Sequence, residues 1–494
     1  MKTENLNFRS NRLSRLMLAF AGMLMLTGLV SCGDDDTVTI PEPTLSIVQI
    51  AQAEPTLSSL VAALTKFPDL VSALSSDAED YTVFAPNNAA FAALLSATGQ
   101  TSLDDVPEPV IRRLLEYHVV SGAAVFSSAL MDGQTVDPIL ADANDVINVG
   151  VGTSVTVDNA TVILADVPAS NGVVHVIDGV LVPDLETSIV NTVVEPAYFN
   201  VDFEILTSAV VKAGLLTTLI DGAAEFTVFA PTDAAFGEIG ITSAENLTAD
   251  ALTPILQYHV LDSEVKEADL PATGTAVPTL NGDFYLSKNT NGVFINGRTQ
   301  VTATDIDQDN GVVHVINRTL EPASSDVVEI AIAASTADPG AEFTQLVAAL
   351  TAVSDNTQTD LITILKGNGP FTIFAPTDAA FQRLYDALND PNGDNVSDIN
   401  DLTTATTLET ISTVLQYHVL GLRVFSTDIP NVLDGSTTAT LDPLAGGQFT
   451  LNSTLTITPS DMVLDLNLDD AAIVGTDILG TNGVIHTIDQ VILP

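Results

Sequence analysis

The sequence predicts an α+β protein built as three tandem domains. Two observations carry this reading. One set of motifs returns three times in the same order, and inside each copy a helical pattern precedes strand patterns. The length agrees, because 494 residues exceed one ordinary core and suggest about three. Hydrophobic residues make up 46% of the chain and Trp is absent, so aliphatic residues and Phe must fill those cores.

The first motif is Tyr81-Thr-Val-Phe-Ala-Pro-Asn-Asn-Ala-Ala-Phe91. It returns as Phe226-Thr-Val-Phe-Ala-Pro-Thr-Asp-Ala-Ala-Phe236 and as Phe371-Thr-Ile-Phe-Ala-Pro-Thr-Asp-Ala-Ala-Phe381, spaced by 145 residues both times. Thr-Val-Phe has β character and Ala-Pro ends the strand. Thr232-Asp233 and Thr377-Asp378 are placed to cap a following helix, which Ala-Ala-Phe begins. The second motif is Tyr117-His118, Tyr258-His259 and Tyr417-His418. The third is Asn171-Gly-Val-Val-His175, Asn310-Gly-Val-Val-His314 and Asn482-Gly-Val-Ile-His486, a tight Asn-Gly turn feeding a mostly apolar strand of a buried sheet. Upstream of the first strand, Leu57, Leu60, Val61 and Leu64, and in the third copy Phe343, Leu346, Val347 and Leu350, fall at helical spacing. A unit of about 140 residues is large enough to fold alone, unlike a solenoid repeat. The links Pro183–Ser188 and Pro322–Asp326 are short, so neighbouring domains are expected to touch, as in a stiff, slightly bent rod.

Taken together, the three blocks resemble the fasciclin domain family, also called FAS1 or beta-Ig-H3, over about residues 45–494. The resemblance implies a β-sandwich or wedge with packed helices in each domain, and a role in cell adhesion and extracellular-matrix interaction without catalysis. It also implies that Tyr117, His118, Tyr258, His259, Tyr417 and His418 are candidate adhesion contacts. The chain has no Arg-Gly-Asp sequence. The boundaries that follow are 44–184, 185–323 and 324–494.

Residues 1–31 read as a lipoprotein signal peptide. Lys2, Arg9, Arg12 and Arg15 precede an apolar run from Leu16 to Val30, short for a bilayer span and suited to a signal core. The run ends in Leu29-Val30-Ser31-Cys32-Gly33, which resembles the bacterial lipobox and implies acylation of Cys32, the single cysteine. Residues 32–43 form an acidic tether, with Asp34-Asp35-Asp36 directly after the cysteine. Such acidic runs resemble the surface-export signals of Bacteroidetes lipoproteins. The expected location is the outer membrane, exposed at the cell surface and held by the lipid on Cys32.

The charge balance is 63 acidic residues against 15 basic. Phosphate binding needs clustered Lys and Arg, so nucleic acid is not an expected partner. A surface this acidic favours solubility, divalent cations and basic partners.

All six histidines lie in the motifs, two per copy. A catalytic role would need partners that the spacing does not supply. Asp178 and Asp489 follow His175 and His486 by three residues, but the second copy has Asn317 there, and residues three apart on a strand face opposite sides. No nucleophile elbow, zinc-protease helix or phosphate loop is present. His175, His314 and His486 are therefore expected to satisfy buried hydrogen bonds.

The third copy spends 46 residues from Phe371 to Tyr417, against 36 and 32 in the others. In this insertion Asp390, Asn392, Asp394, Asp398 and Asp401 fall at positions 1, 3, 5, 9 and 12, resembling the calcium loops of EF-hand and dockerin type. Asn395 stands where those loops have Gly, and Asp401 where they have Glu. Calcium is the candidate cation. A polar surface insertion is the other reading.

The expected function is that of a non-enzymatic, membrane-anchored surface lipoprotein that binds a cell-surface or matrix protein or a polysaccharide. The alternative is a lipoprotein that binds a small molecule or a metal ion for uptake.

Overall fold

Among the described residues each repeat builds one seven-stranded sheet, and the three sheets share one strand order. In the computed structural model the described residues are 42–140, 145–271, 274–356, 359–388, 398–399, 401, 407–429, 438–459 and 470–494. In the first domain the strands are β1 Tyr81–Pro86, β2 Val119–Ser121, β3 Thr135–Val136, β4 Ile147–Val151, β5 Val155–Val157, β6 Ala160–Ala169 and β7 Gly172–Ile177, in the order β2-β1-β7-β6-β5-β4-β3. Neighbours are antiparallel except β1 and β7, which run parallel with Tyr81 opposite Gly172 and Phe84 opposite His175. The second domain repeats the order with β8 Phe226–Pro231, β9 Val260–Leu261, β10 Thr275–Thr279, β11 Gly282–Asn289, β12 Gly292–Ile295, β13 Thr299–Gln308 and β14 Gly311–Ile316. The third repeats it with β15 Phe371–Pro376, β16 Val419–Leu420, β17 Thr438–Leu441, β18 Phe449–Asn452, β19 Thr456–Pro459, β20 Ala471–Gly480 and β21 Gly483–Ile488. Each sheet curves until it is nearly a barrel, and helices pack against it.

The central parallel pair is buried on both faces, as its apolar composition requires. Alternation sends Val83, Ala85, Val174 and Val176 into a core shared with the helices. Phe84 and Ile177 point the other way, into a second core with Tyr117, Leu130, Ile147 and Val157. Domains two and three repeat the inner core around Phe229 and Phe284, and around Phe374 and Phe449.

The helical pattern before the first strand is divided. Leu57 ends a 3-10 turn at Pro55–Leu57, and Leu60 and Leu64 face inward from the helix Ser58–Thr65. In the third domain Phe343 stands just before the helix Thr344–Asn356, at φ +65°. The first predicted link is itself partly helical. Asp184–Ile189 forms a helix whose Glu186 is buried, because that stretch is packed into a domain junction.

The glycine of each Asn-Gly motif meets a steric demand beyond the turn. At Gly172 (φ +145°) and Gly311 (φ +139°) an added Cβ would lie 2.0 and 1.9 Å from the carbonyl oxygens of Tyr81 and Phe226, on the parallel neighbour. Gly311→Ala should therefore destabilise the second domain by at least about 3 kcal/mol in urea unfolding. Gly282→Ala, at φ +88° with open space around it, should cost only about 1–2 kcal/mol. Equal losses would show that close strand approach does not explain the motif.

Candidate interaction sites

The Tyr–His motif sits where a helix ends. The helices Glu108–Tyr117 and Leu408–Tyr417 finish on the tyrosine, and His118 and His418 are the C-caps; Ala249–Gln257 stops one residue earlier. His118 Nδ1 donates to the Leu114 carbonyl (2.6 Å), one of the groups a helix end leaves unpaired, and Nε2 accepts from Leu181 N–H (2.8 Å). The pattern recurs for His259, with Ile255 O and Leu320 N–H, and for His418, with Val414 O and Ile492 N–H. Each imidazole thus ties the helix end to the segment after the last strand. The tyrosines reach into the inner core. Tyr117 Oη donates to Val146 O (3.0 Å) and Tyr258 Oη to Asp283 O (3.0 Å), and Tyr417 Oη bonds Gln448 O.

These six residues are therefore not surface contacts. Tyr117, His118, Tyr258, His259, Tyr417 and His418 are all buried, with their polar atoms engaged inside the domain. The expectation that they meet a partner is corrected: a polar pair at a helix end was turned inward by the carbonyls it caps.

His175, His314 and His486 are buried and satisfied, with the opposite tautomer. Their Nε2 atoms donate to Val125 O, Val265 O and Val424 O (2.8–2.9 Å), and their Nδ1 atoms accept from the N–H groups of Asp166, Asp305 and Asp477 (3.2–3.3 Å). Each ring lies 5.2–5.8 Å from Phe84, Phe229 or Phe374. The same three valines donate N–H to the buried hydroxyls of Thr82, Thr227 and Thr372 (2.8–3.0 Å). The motif threonine and histidine therefore hold one corner of backbone between them.

The remaining motif positions are structural too. Thr232 and Thr377 cap their own helices by accepting from Ala235 and Ala380 N–H, and Asn87 does so in the first copy. The next residue caps a different helix. Asn88, Asp233 and Asp378 accept from Ser59, Ile205 and Gln345 N–H (2.9 Å each). Asn171, Asn310 and Asn482 accept from the first amides of an N-terminal helical segment, Ile47, Val193 and Val327, and donate to Leu74, Leu219 and Leu365 carbonyls.

Cys32 and the insertion residues Asp390, Asn392 and Asp394 lie outside the described residues. Asp398 and Asp401 are described, and Asp398 Oδ1 accepts from Asp401 N–H (3.0 Å). Among the described residues no group of three or more His, Cys, Asp or Glu is set to hold a metal ion.

The two domain junctions differ, and although the short links lead to an expectation of contact, no local pattern names the residues that meet. Between domains one and two the helical sides merge into one apolar core, with Phe199 lining a void beside Phe91, Leu114 and Val180. Glu186 is buried there against Arg113 Nε (2.6 Å) and Tyr198 Oη (3.0 Å). Between domains two and three a corner of domain three seats on β11. Asp428 accepts from Gly274 N–H (3.0 Å), Thr427 pairs with Ser287 and Asn289, and the Arg423 guanidinium lies 3.9 Å over the Tyr285 ring. Burial pushes the Asp428 carboxyl above its ordinary range. Gly297 admits this corner, since a Cβ there would lie 2.9 Å from Phe425.

Comparison with known proteins agrees with this arrangement. The sequence model of the fasciclin domain matches residues 55–183, 201–322 and 341–494. The transforming growth factor-beta-induced protein ig-h3 of Sus scrofa is 29% identical over 306 residues, covering 61% of this chain and 42% of its own length. Protein sll1483 of Synechocystis is 43% identical over 141 residues, 28% of this chain and 75% of that one. A solved FAS1 domain pair from the insect cell adhesion molecule fasciclin I aligns with 54% of this chain and 97% of its own, at 21% identity and a TM-score of 0.25. This chain spans about two fifths of the length of the ig-h3 relative.

Burial pushes the pKa of His118, His259 and His418 down to about 4, from 6.5. The folded rings stay neutral while unfolded ones protonate, so stability is present above pH 6.5 and is lost as pH falls towards 4. Each domain should lose about 2 kcal/mol between pH 7 and 5, lowering its melting temperature by several degrees. A melting temperature unchanged across that interval would contradict the assigned neutral, doubly bonded rings.

Proposed function

Because the chain belongs to the fasciclin domain family in all three of its repeats, we propose that it is a non-enzymatic, membrane-anchored surface lipoprotein that binds a cell-surface or matrix protein or a polysaccharide. The lipid on Cys32 would hold it at the outer membrane. One observation carries the non-enzymatic part: the six histidines are buried and bonded through both ring nitrogens to backbone. None is free to act as a base or a ligand. Binding then falls to the residues that differ between copies.

The voids among the described residues leave the uptake alternative little support. Equivalent apolar voids lie between helices and the first strand of each domain, beside His118, His259 and His418, and measure about 30, 50 and 30 Å³. Ligand pockets run to several hundred Å³. Voids of this size suit a water molecule or two, not a nutrient.

Tandem display implies avidity, since one bound domain raises the effective concentration of the next. The full chain should bind a matrix-protein or glycan array more than three times as tightly as residues 44–323. Equal binding by the two would rule out multivalent adhesion, and failure of both across the arrays would remove the adhesion reading.

A further inference from the structure

We propose that the first domain carries a lipid-facing corner, formed by Phe126, Met131, Ile163 and Leu164, that rests on the bilayer to which Cys32 tethers the chain. The proposal rests on the anchor reading above and adds a surface to it. Phe126 is 41% exposed, Met131 66%, Ile163 53% and Leu164 41%. Phe126 precedes the short 3-10 turn Ser127–Ala129, which Asp166 fastens to β6 by accepting from Ser127 N–H (2.6 Å). Leu164 and Ile163 lie two and three residues before Asp166 on that strand. Exposed Val151 extends the corner, because its N–H bonds Asp132, the neighbour of Met131 (3.0 Å).

The other two domains show what this corner does elsewhere. In the third, the matching Phe425 is 0% exposed, because it is seated on the second domain's sheet. In the second, the matching positions are Lys266, Pro271, Thr302 and Ala303, and Lys266 pairs with Glu264 and Asp307. At its phenylalanine position the corner is therefore covered in domain three and charged in domain two, while Val474 of domain three, matching Ile163, is 59% exposed. Among the described residues only the first domain has an apolar, open side chain at the phenylalanine position, and an exposed apolar cluster marks an interaction site.

A second copy of this chain is a poor occupant. The seat on domain two is taken by domain three within the chain, and its turn Asn296-Gly297-Arg298 becomes Asp158-Asn159 in domain one, without the glycine that admits the phenylalanine. The tether favours lipid instead. The chain enters domain one at Leu45, whose carbonyl accepts from Ser170 N–H (2.8 Å) at the end of β6. Leu164 lies five residues further along that strand from Ala169, about 17 Å away. Cys32 is thirteen residues from Leu45, a reach of roughly 45 Å when extended. A short tether of this kind gives an effective concentration in the mM range, so a weak apolar contact suffices.

The chain has one cysteine and no tryptophan, which makes the test direct. The mature chain, residues 32–494, is coupled through Cys32 to a maleimide lipid in phosphatidylcholine vesicles containing brominated acyl chains. Phe126→Trp should show a blue-shifted emission and at least twofold quenching by the brominated lipid. Lys266→Trp, at the matching corner of domain two, should show neither. An unquenched Trp at 126 on coupled vesicles would overturn the lipid-facing corner. So would a Trp at 126 already shielded from acrylamide without lipid, which would mark a second copy as the occupant. Because coupling is chemical, the result does not depend on cellular acylation. Mass spectrometry of the cell-derived protein reads that separately, and an unmodified Cys32 would remove the anchor reading alone.

Discussion

Each domain depends on one parallel strand pair, formed by its first long strand and its last. A parallel pair cannot close through a hairpin, so everything between the two strands forms the crossover that joins them. The pair is buried on both faces, and the polar groups around it have nowhere to go but each other. This accounts for the shared motifs. The glycine lets the last strand approach, the asparagine ties its turn to two helices, and the threonine and histidine hold the neighbouring corner. The second histidine fastens a helix end to the segment that leaves the sheet. What the copies share is thus the machinery of closure.

What the copies do not share sets how they are joined. One corner, at Phe126, Lys266 and Phe425, meets solvent as an apolar surface, meets it as a charged one, or is buried in a junction. Likewise the first helical segment carries Tyr198 and Phe199 in domain two, where they meet domain one, and exposed Ile332 in domain three. A repeat protein of this kind gains distinct surfaces by changing a few positions around a fixed frame.

Much of that frame was legible in the sequence, because its signals are local. Thr232 capping its own helix and the Asn-Gly turn follow from neighbours in the chain, and the apolar strand implied a buried, bonded histidine although its partner Val265 lies 49 residues away. Asp233 was read as part of the same cap, yet it caps a helix 28 residues earlier, and no local pattern encodes that partner. Tyr117-His118 was read as a contact because the family resemblance implied one. The carbonyls at the helix end, not the residue types, decide their direction. The seat of Phe425 needs Gly297 from another domain, and Glu186 needs Arg113 across the other junction, so neither pattern was visible in one repeat.

The central claim is that the motif polar groups form one closed frame in each domain. Hydrogen exchange at six amides tests it: Val125, Val265 and Val424, bonded to the threonine hydroxyls, and Leu181, Leu320 and Ile492, bonded to the histidine rings. The account predicts that these amides exchange only when their whole domain unfolds, as slowly as those of the central strands. Exchange at the rate of exposed loops would contradict it.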